Sequence, residues 1–254
     1  MKYIALLFTS LLAGVLFPGT LSAPLCAQDN PEALVLLEKV DNNLSSGSRI
    51  FESSMTIHGR RSDRTLTSKS WSRGEDSALT EYLAPASEAG TKMLKLGDNL
   101  WIYTPAADRT IQISGHMLRQ SVMGSDLSYE DFMDDRKLTE MYRAGAPVED
   151  TLRETRVLVV ELTAKVNDVA YPRQKMWIDA QKYVPLQQEM YARSGQLLKK
   201  IELYDVQRVQ GRWFPTRMVY KDMLKTGGGT EFRIESIVFD ADIPDYLLSK
   251  AGLR

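Results

Sequence analysis

Residues 91–114 read TKMLKLGDNLWIYTPAADRTIQIS. Two apolar runs, TKMLKL and LWIYT, are separated by Gly97-Asp98-Asn99, and Pro105 to Arg109 then turns the chain into TIQIS. Gly and Asn accept positive φ at no great cost and Pro pre-sets its own φ, so short runs rich in Trp, Ile, Tyr and Thr between such residues specify hairpins. The stretch therefore predicts three successive antiparallel strands.

The same grammar extends in both directions. Upstream, Phe51, Ser53, Met55 and Ile57 alternate with Glu52, Ser54 and Thr56; Thr65 to Arg73 and Ser77 to Leu83 read as strands joined through Gly74-Glu75-Asp76. Downstream, RVLVVELTAK turns at Asn167-Asp168 into YPRQKMWID, and VPLQQEMYA, LLKKIELYDV, RWFPTRMVYKDM and TEFRIESIVFD each follow a turn signal. About eleven short strands with almost no helix between them predict a mainly β chain of the α+β type, built on one antiparallel meander. Three segments leave the alternation. Ala33, Leu34, Leu36, Leu37 and Val40 repeat at helical spacing and predict an amphipathic helix ending near Asn42 to Ser46. Within 114–135, Met117, Leu118, Ser121 and Val122 also fall at helical spacing, and Pro244 opens a short terminal helix over DYLLSKAG.

The chain opens MKYIALLFTSLLAGVLFPGTLSAPLCAQDN, with one Lys, an apolar run and then small residues, the order of a secretory signal peptide. Cleavage after Ala27 is expected, which leaves residues 28–254 as one exported, periplasmic domain. A lipid anchor at Cys26 is not expected, because the preceding Leu25 is too large for that processing site. The only cysteine leaves with the leader, so stability must come from the core. No later segment approaches the roughly 20 apolar residues a spanning helix needs. Loss of Lys2 takes the formal net charge from −1 to −2, and that balance argues against nucleic-acid binding.

Catalytic motifs are missing. There is no Gly-x-Ser-x-Gly elbow, phosphate-cradling glycine loop or zinc spacing, and His58 and His116 stand alone, so neither an enzyme nor a cofactor or metal site is expected. SVMGSDLSYEDF at 121–132 brings Asp126, Glu130 and Asp131 together but lacks the frame of a calcium loop. Asp126 or Ser128 can instead cap a short helix, with Ser128-x-x-Asp131 close to a capping box.

One parity of the strands is apolar, and it defines the candidate inner surface: Met55 and Ile57; Met93; Trp101 and Tyr103; Ile111 and Ile113; Leu158 and Val160; Met176 and Ile178; Met190. Met117, Leu118, Val122 and Met123 are available to cover it. Eleven methionines are generous for such a chain, and unbranched, polarizable Met suits a surface that repacks around irregular apolar ligands. Lys92, Arg109 and Arg119 border the expected mouth as head-group candidates.

The N-terminal amphipathic helix, LWIYTPAADRTIQIS running into SVMGSDLSYEDF, RWFPTRMVYKD and the closing IVFDADIPDYLL together resemble the outer membrane lipoprotein-sorting family, relatives of the periplasmic carrier LolA. That resemblance implies a strongly curved, incomplete β-barrel whose concave face, covered by the N-terminal helix and short plug helices, holds acyl chains of lipids or lipoproteins. It also implies a monomeric carrier between inner and outer membranes with transient membrane contact, and an inner-membrane exporter of the RND type as a partner. A non-catalytic sensor or scaffold of the same fold, binding lipoproteins or such an exporter, is the alternative. Gly115 and Gly124 bracket the apolar HMLRQSVM, which is the expected movable plug.

Overall fold

A computed structural model describes residues 30–253; the expected leader and its cleavage site lie outside these residues. Fourteen strands form one antiparallel sheet: β1 (Ser48–Ile57), β2 (Arg64–Arg73), β3 (Ser77–Ala84), β4 (Lys92–Leu96), β5 (Asn99–Thr104), β6 (Arg109–Ile113), β7 (Tyr142–Ala144), β8 (Val148–Leu152), β9 (Thr155–Ala164), β10 (Arg173–Asp179), β11 (Pro185–Tyr191), β12 (Leu197–Val209), β13 (Arg212–Asp222) and β14 (Thr230–Phe239). Their order is β6-β5-β4-β3-β2-β1-β14-β13-β12-β11-β10-β9-β7, with β8 also on β9. The first and last strands do not pair, so the sheet is not closed. Each run read as a strand in the sequence is one. The quoted runs account for twelve strands, one more than the rough count of eleven, and the other two are β7, three residues long, and β8, whose VEDTL is largely exposed and carries no apolar alternation.

Register shifts between Glu52 and Ser53, Thr67 and Ser68, Trp177 and Ile178, and Met190 and Tyr191 place bulges along the sheet. Each extra residue bends its strand and increases local twist, which is how one wide sheet curls.

The N-terminal helix α1 (Pro31–Leu44) starts where Asn30 Oδ1 accepts from the Ala33 amide at 3.1 Å and Pro31 fills the first position. Pro there loses nothing, since its missing N–H has no helical partner. Ala33, Leu36, Leu37 and Val40 are buried against Val160, Leu162, Met176 and Ile178. At the helix's other end the buried Asp41 carboxylate accepts from the Leu138 and Thr139 amides at 2.9 and 3.1 Å, tying α1 to α3 (Leu138–Met141).

Segment 115–133 lies on the same face of the sheet, over β1 to β6. It comprises 3-10 turns at Gly115–Arg119 and Val122–Gly124 and the one-turn helix α2 (Tyr129–Met133). Helical geometry breaks locally: Gln120 is extended and Met123 has φ 51°.

The C-terminal segment departs furthest from expectation. Residues after Pro244 form turns and a 3-10 helix at Lys250–Leu253, not an α-helix. Gly252 explains the tight path, because a Cβ there would come within 2.6 Å of the Leu247 carbonyl oxygen. Ile243, Leu248 and Leu253 cover the opposite face of the sheet, on Leu79, Leu94, Trp101 and Tyr103.

Leu37 is 1% exposed whereas its helix neighbour Val35 is 51% exposed. Leu37→Ala is expected to destabilise by about 2–5 kcal/mol because it leaves a cavity between α1 and the sheet. Val35→Ala should stay within about 0.5 kcal/mol, both read from urea unfolding.

Candidate functional site

The inner face can be traced through the pairing. Ile111 lies opposite Ile102, Ile102 opposite Met93, and Met93 opposite Thr80; Met55 lies opposite Phe232, Phe232 opposite Met218, and Met218 opposite Leu203. Further on, Gln188 faces Met176 and Met176 faces Val160. Met55, Met93, Ile113, Val160, Met176, Ile178 and Met190 are buried on it, with Ile57 and Leu158 partly buried. Ile111, on the edge strand β6, is on this face but 40% exposed.

Trp101, Tyr103 and Lys92 are corrections. In β5 it is Leu100 and Ile102 that pack inward, so their neighbours Trp101 and Tyr103 point to the other face, under the C-terminal segment. Lys92 pairs across from Tyr103 and its ammonium donates to the Gly252 carbonyl at 2.9 Å. Both faces of β5 are covered, so the strand is apolar at successive positions and parity alone cannot tell in from out. Arg109 is exposed at the start of β6. Of the three expected head-group cations only Arg119 reaches the cavity described below, where it pairs with Glu130 at 3.4 Å.

The inner face over β1 to β6 is filled. Segment 120–129 folds into a small hairpin, with the Val122 amide donating to the Leu127 carbonyl at 2.8 Å and the Tyr129 amide to Gln120 at 3.1 Å. Its apolar side, with Val122 fully buried and Leu127 4% exposed, packs together with Met117, Leu118 and Met123 on Met55, Leu66, Met93, Ile102 and Ile113. This segment is a plug.

Polar contacts hold it. Asp131 accepts from the Lys199 ammonium of β12, from the Tyr171 hydroxyl at 2.7 Å, and from the amide and hydroxyl of Ser128 at 2.6 and 2.9 Å. Three of these contacts converge on Oδ2 while the Tyr171 hydroxyl takes Oδ1, so the carboxylate is gripped through both oxygens. The Ser128 amide contact is the acidic half of the expected capping box. Asp126 accepts from the Asp222 amide at 3.0 Å and the Thr230 hydroxyl at 2.8 Å, which fixes the plug to β13 and β14. Lys225 donates to the Ser121 hydroxyl and, at 2.9 Å, to the Ser125 carbonyl; Lys95 of β4 donates to the Met133 carbonyl at 2.5 Å. Burial and the adjacent Asp131 charge hold the Tyr171 phenol far above its usual range, so it remains a donor. Burial does the same to Tyr220 beneath the plug.

Beside these anchors opens a cavity of about 910 Å³, with Lys95, Leu118, Arg119, Ser128, Tyr171, Lys199 and Lys225 among its lining. Its walls carry both signs of charge and adjoin, rather than contain, the apolar face. Among the described residues no group of three or more His, Cys, Asp or Glu is placed to hold a metal, and no helix is long and apolar enough to cross a membrane.

Lys199 and Tyr171, which anchor the plug through Asp131, were missed by the sequence reading. Lys199 had a signal, since it shares parity with the inward Ile201 and Leu203 in LLKKIELYDV. A lysine on an apolar parity needs a partner, and Asp131 is that partner. Tyr171 sits in a loop without periodicity and offers no such clue.

Asp131→Asn is expected to cost about 3–5 kcal/mol, the range for stranding one member of a buried ion pair, because Lys199 and Asp131 side chains are only 5% and 10% exposed. Glu130→Gln should cost under about 1 kcal/mol, since its partner Arg119 is 81% exposed. Adding Lys199→Met to Asp131→Asn should recover much of the loss in the same chemical denaturation series.

No curated protein matches the chain in sequence. Among solved structures, a DUF1329 family protein from Desulfovibrio piger superposes with TM-score 0.81 at 24% identity, over 89% of this chain and 100% of its own. A domain named for outer membrane lipoprotein sorting, from Vibrio parahaemolyticus, gives 0.76 at 24% identity over 88% and 99%. A LolA superfamily protein from Nitrosomonas europaea gives 0.73 at 24% identity over 89% and 100%. At that identity the likeness shows the fold, which is LolA-like. A family model described as "Uncharacterized protein" matches residues 74–254, well over half of the chain, and the protein belongs to that family.

Proposed function

We propose that the protein is a non-catalytic periplasmic carrier that binds acyl chains of lipids or lipoproteins on its inner face and moves them between inner and outer membranes. The observation that carries this reading is the plug. An open sheet presents an apolar inner surface, and a separate segment, not paired into the sheet, fills it through side-chain contacts and a few polar anchors. In this reading residues 28–254 act as one unit after removal of the leader. The named sorting domain with the same fold supports the assignment of lipoprotein as cargo.

The energetics suit a carrier that must also let go. Burying an acyl chain yields about 0.8 kcal/mol per methylene, so a long chain offers roughly 10 kcal/mol gross. The plug gives up apolar burial of its own when it leaves, because Val122, Leu127 and their neighbours occupy the same surface. Lipid and plug therefore compete, and the net affinity is a difference small enough to allow release. Met55, Met93, Met117 and Met123, all in the cluster that must repack, have the side chain best able to do so.

A cystine at positions 126 and 230 tests the reading, because these side chains already touch. The oxidised Asp126→Cys/Thr230→Cys protein is expected to take up no fluorescent fatty acid, and reduction should restore uptake. Equal uptake by oxidised and reduced protein would overturn the plug model. Lipid extraction and mass spectrometry of protein purified from envelopes should find acyl lipid on the wild type; lipid-free protein there would favour the sensor or scaffold alternative.

A further inference from the structure

The hairpin between β13 and β14 carries an apolar tip that the fold leaves unused. Met223 and Leu224 are 44% and 63% exposed. Basic residues predominate around them, with Asp222 just before the pair and ion-paired to Lys225 at 3.4 Å. Lys221 and Lys225 flank the pair in the chain, and the β1–β2 hairpin brings Arg60 and Arg61 alongside, with the Arg60 guanidinium donating to the Thr226 hydroxyl at 3.0 Å. Among the described residues neither Arg60 nor Arg61 is ion-paired. The two hairpins are firmly joined: the His58 amide donates to the Gly229 carbonyl at 3.0 Å, and a Cβ on Gly228 would come within 2.6 Å of the His58 Cβ.

We infer that this tip docks on an anionic membrane surface. Two protruding apolar side chains ringed by cations match the interface of a bilayer, where the apolar pair enters the acyl boundary and the cations meet lipid phosphate. The same hairpin holds the plug. Lys225 donates to Ser121 and Ser125, and the Asp222 amide donates to Asp126. Lipid phosphate competing for Lys225 therefore loosens the plug at the membrane, where cargo is exchanged. That second half rests on the carrier reading; the docking itself does not.

Flotation with vesicles of phosphatidylcholine alone and of an equal mixture with phosphatidylglycerol tests the docking. Wild type is expected on the mixed vesicles, less at high salt, and scarcely on the neutral ones. Met223→Asp/Leu224→Asp should lower binding at least about tenfold, given the apolar area lost to the bilayer, while Val148→Asp, 64% exposed on the edge strand β8, should leave it unchanged. No wild-type binding to mixed vesicles, or equal binding by the double variant, would overturn the proposal and leave a protein partner for the tip. Amide hydrogen exchange over 115–133 should speed up on mixed vesicles; vesicle-bound protein with unchanged exchange would sink the coupling alone. The oxidised 126–230 variant should still bind vesicles, so a failed carrier reading and a failed docking reading give different results.

Discussion

The ion pair between Asp131 and Lys199 sets the terms for the rest of the molecule. An unclosed sheet cannot hide its own inner face, so a separate segment has to lie there, and apolar contacts alone would let that segment slide. A charge buried beside β12 is satisfied only at one position, where Tyr171 and Ser128 also donate to Asp131. The desolvation cost of such a pair is of the same order as its attraction. Its contribution is therefore placement: it fixes which residues of the plug face Met55 and Met93.

The sheet is covered on two sides by different means. Over β1 to β6 the inner side takes the plug and the outer side takes the C-terminal segment through Ile243, Leu248 and Leu253. Over β9 and β10 the inner side takes α1, and the other face carries Val157, Val159, Val184 and Leu186 with Trp177 and Trp213. Asp41 connects α1 to α3, from which the chain enters β7 at the open edge. Each cover is a short segment outside the sheet, so removing one exposes apolar surface without breaking a strand ladder.

That arrangement explains what could be read from the chain. Turn residues and alternation are local properties, so every apolar run quoted as a strand is one, and the periodicity at 33–40 locates α1. Facing is a property of the whole sheet. Around Met176 and Ile178 the apolar parity lies under α1 although the opposite face is also covered; in LWIYT both parities are apolar, and Trp101 and Tyr103 lie on the face opposite to the one expected. The short helix expected to open at Pro244 begins only at Lys250, as a 3-10 turn, since its leucines serve a surface and a tight Gly252 turn rather than a helical stripe. Of the carboxylates in SVMGSDLSYEDF only Asp131 belongs to a cap, and the long-range partners Lys199, Thr230 and the Asp222 amide were not legible, because nothing in sequence spacing brings positions 68 to 104 residues apart together.

The mixture of apolar filling and polar anchoring also bears on selectivity. A plug held by dispersion and burial alone would yield to any chain with enough methylenes, and length would be the only criterion. The anchors at Asp126 and Asp131 add a cost that does not depend on acyl length, because leaving them strands Lys199 and the Thr230 hydroxyl in a poorly hydrated site. A cargo recovers that cost only if it brings acceptors of its own to those donors. The cavity of about 910 Å³ onto which Lys199, Lys95 and Lys225 open is where such groups would lie while the chains occupy the apolar face. In the carrier reading, discrimination between a lipid with a polar acceptor-rich head and a simple hydrocarbon of equal length follows from the anchors and not from the apolar surface.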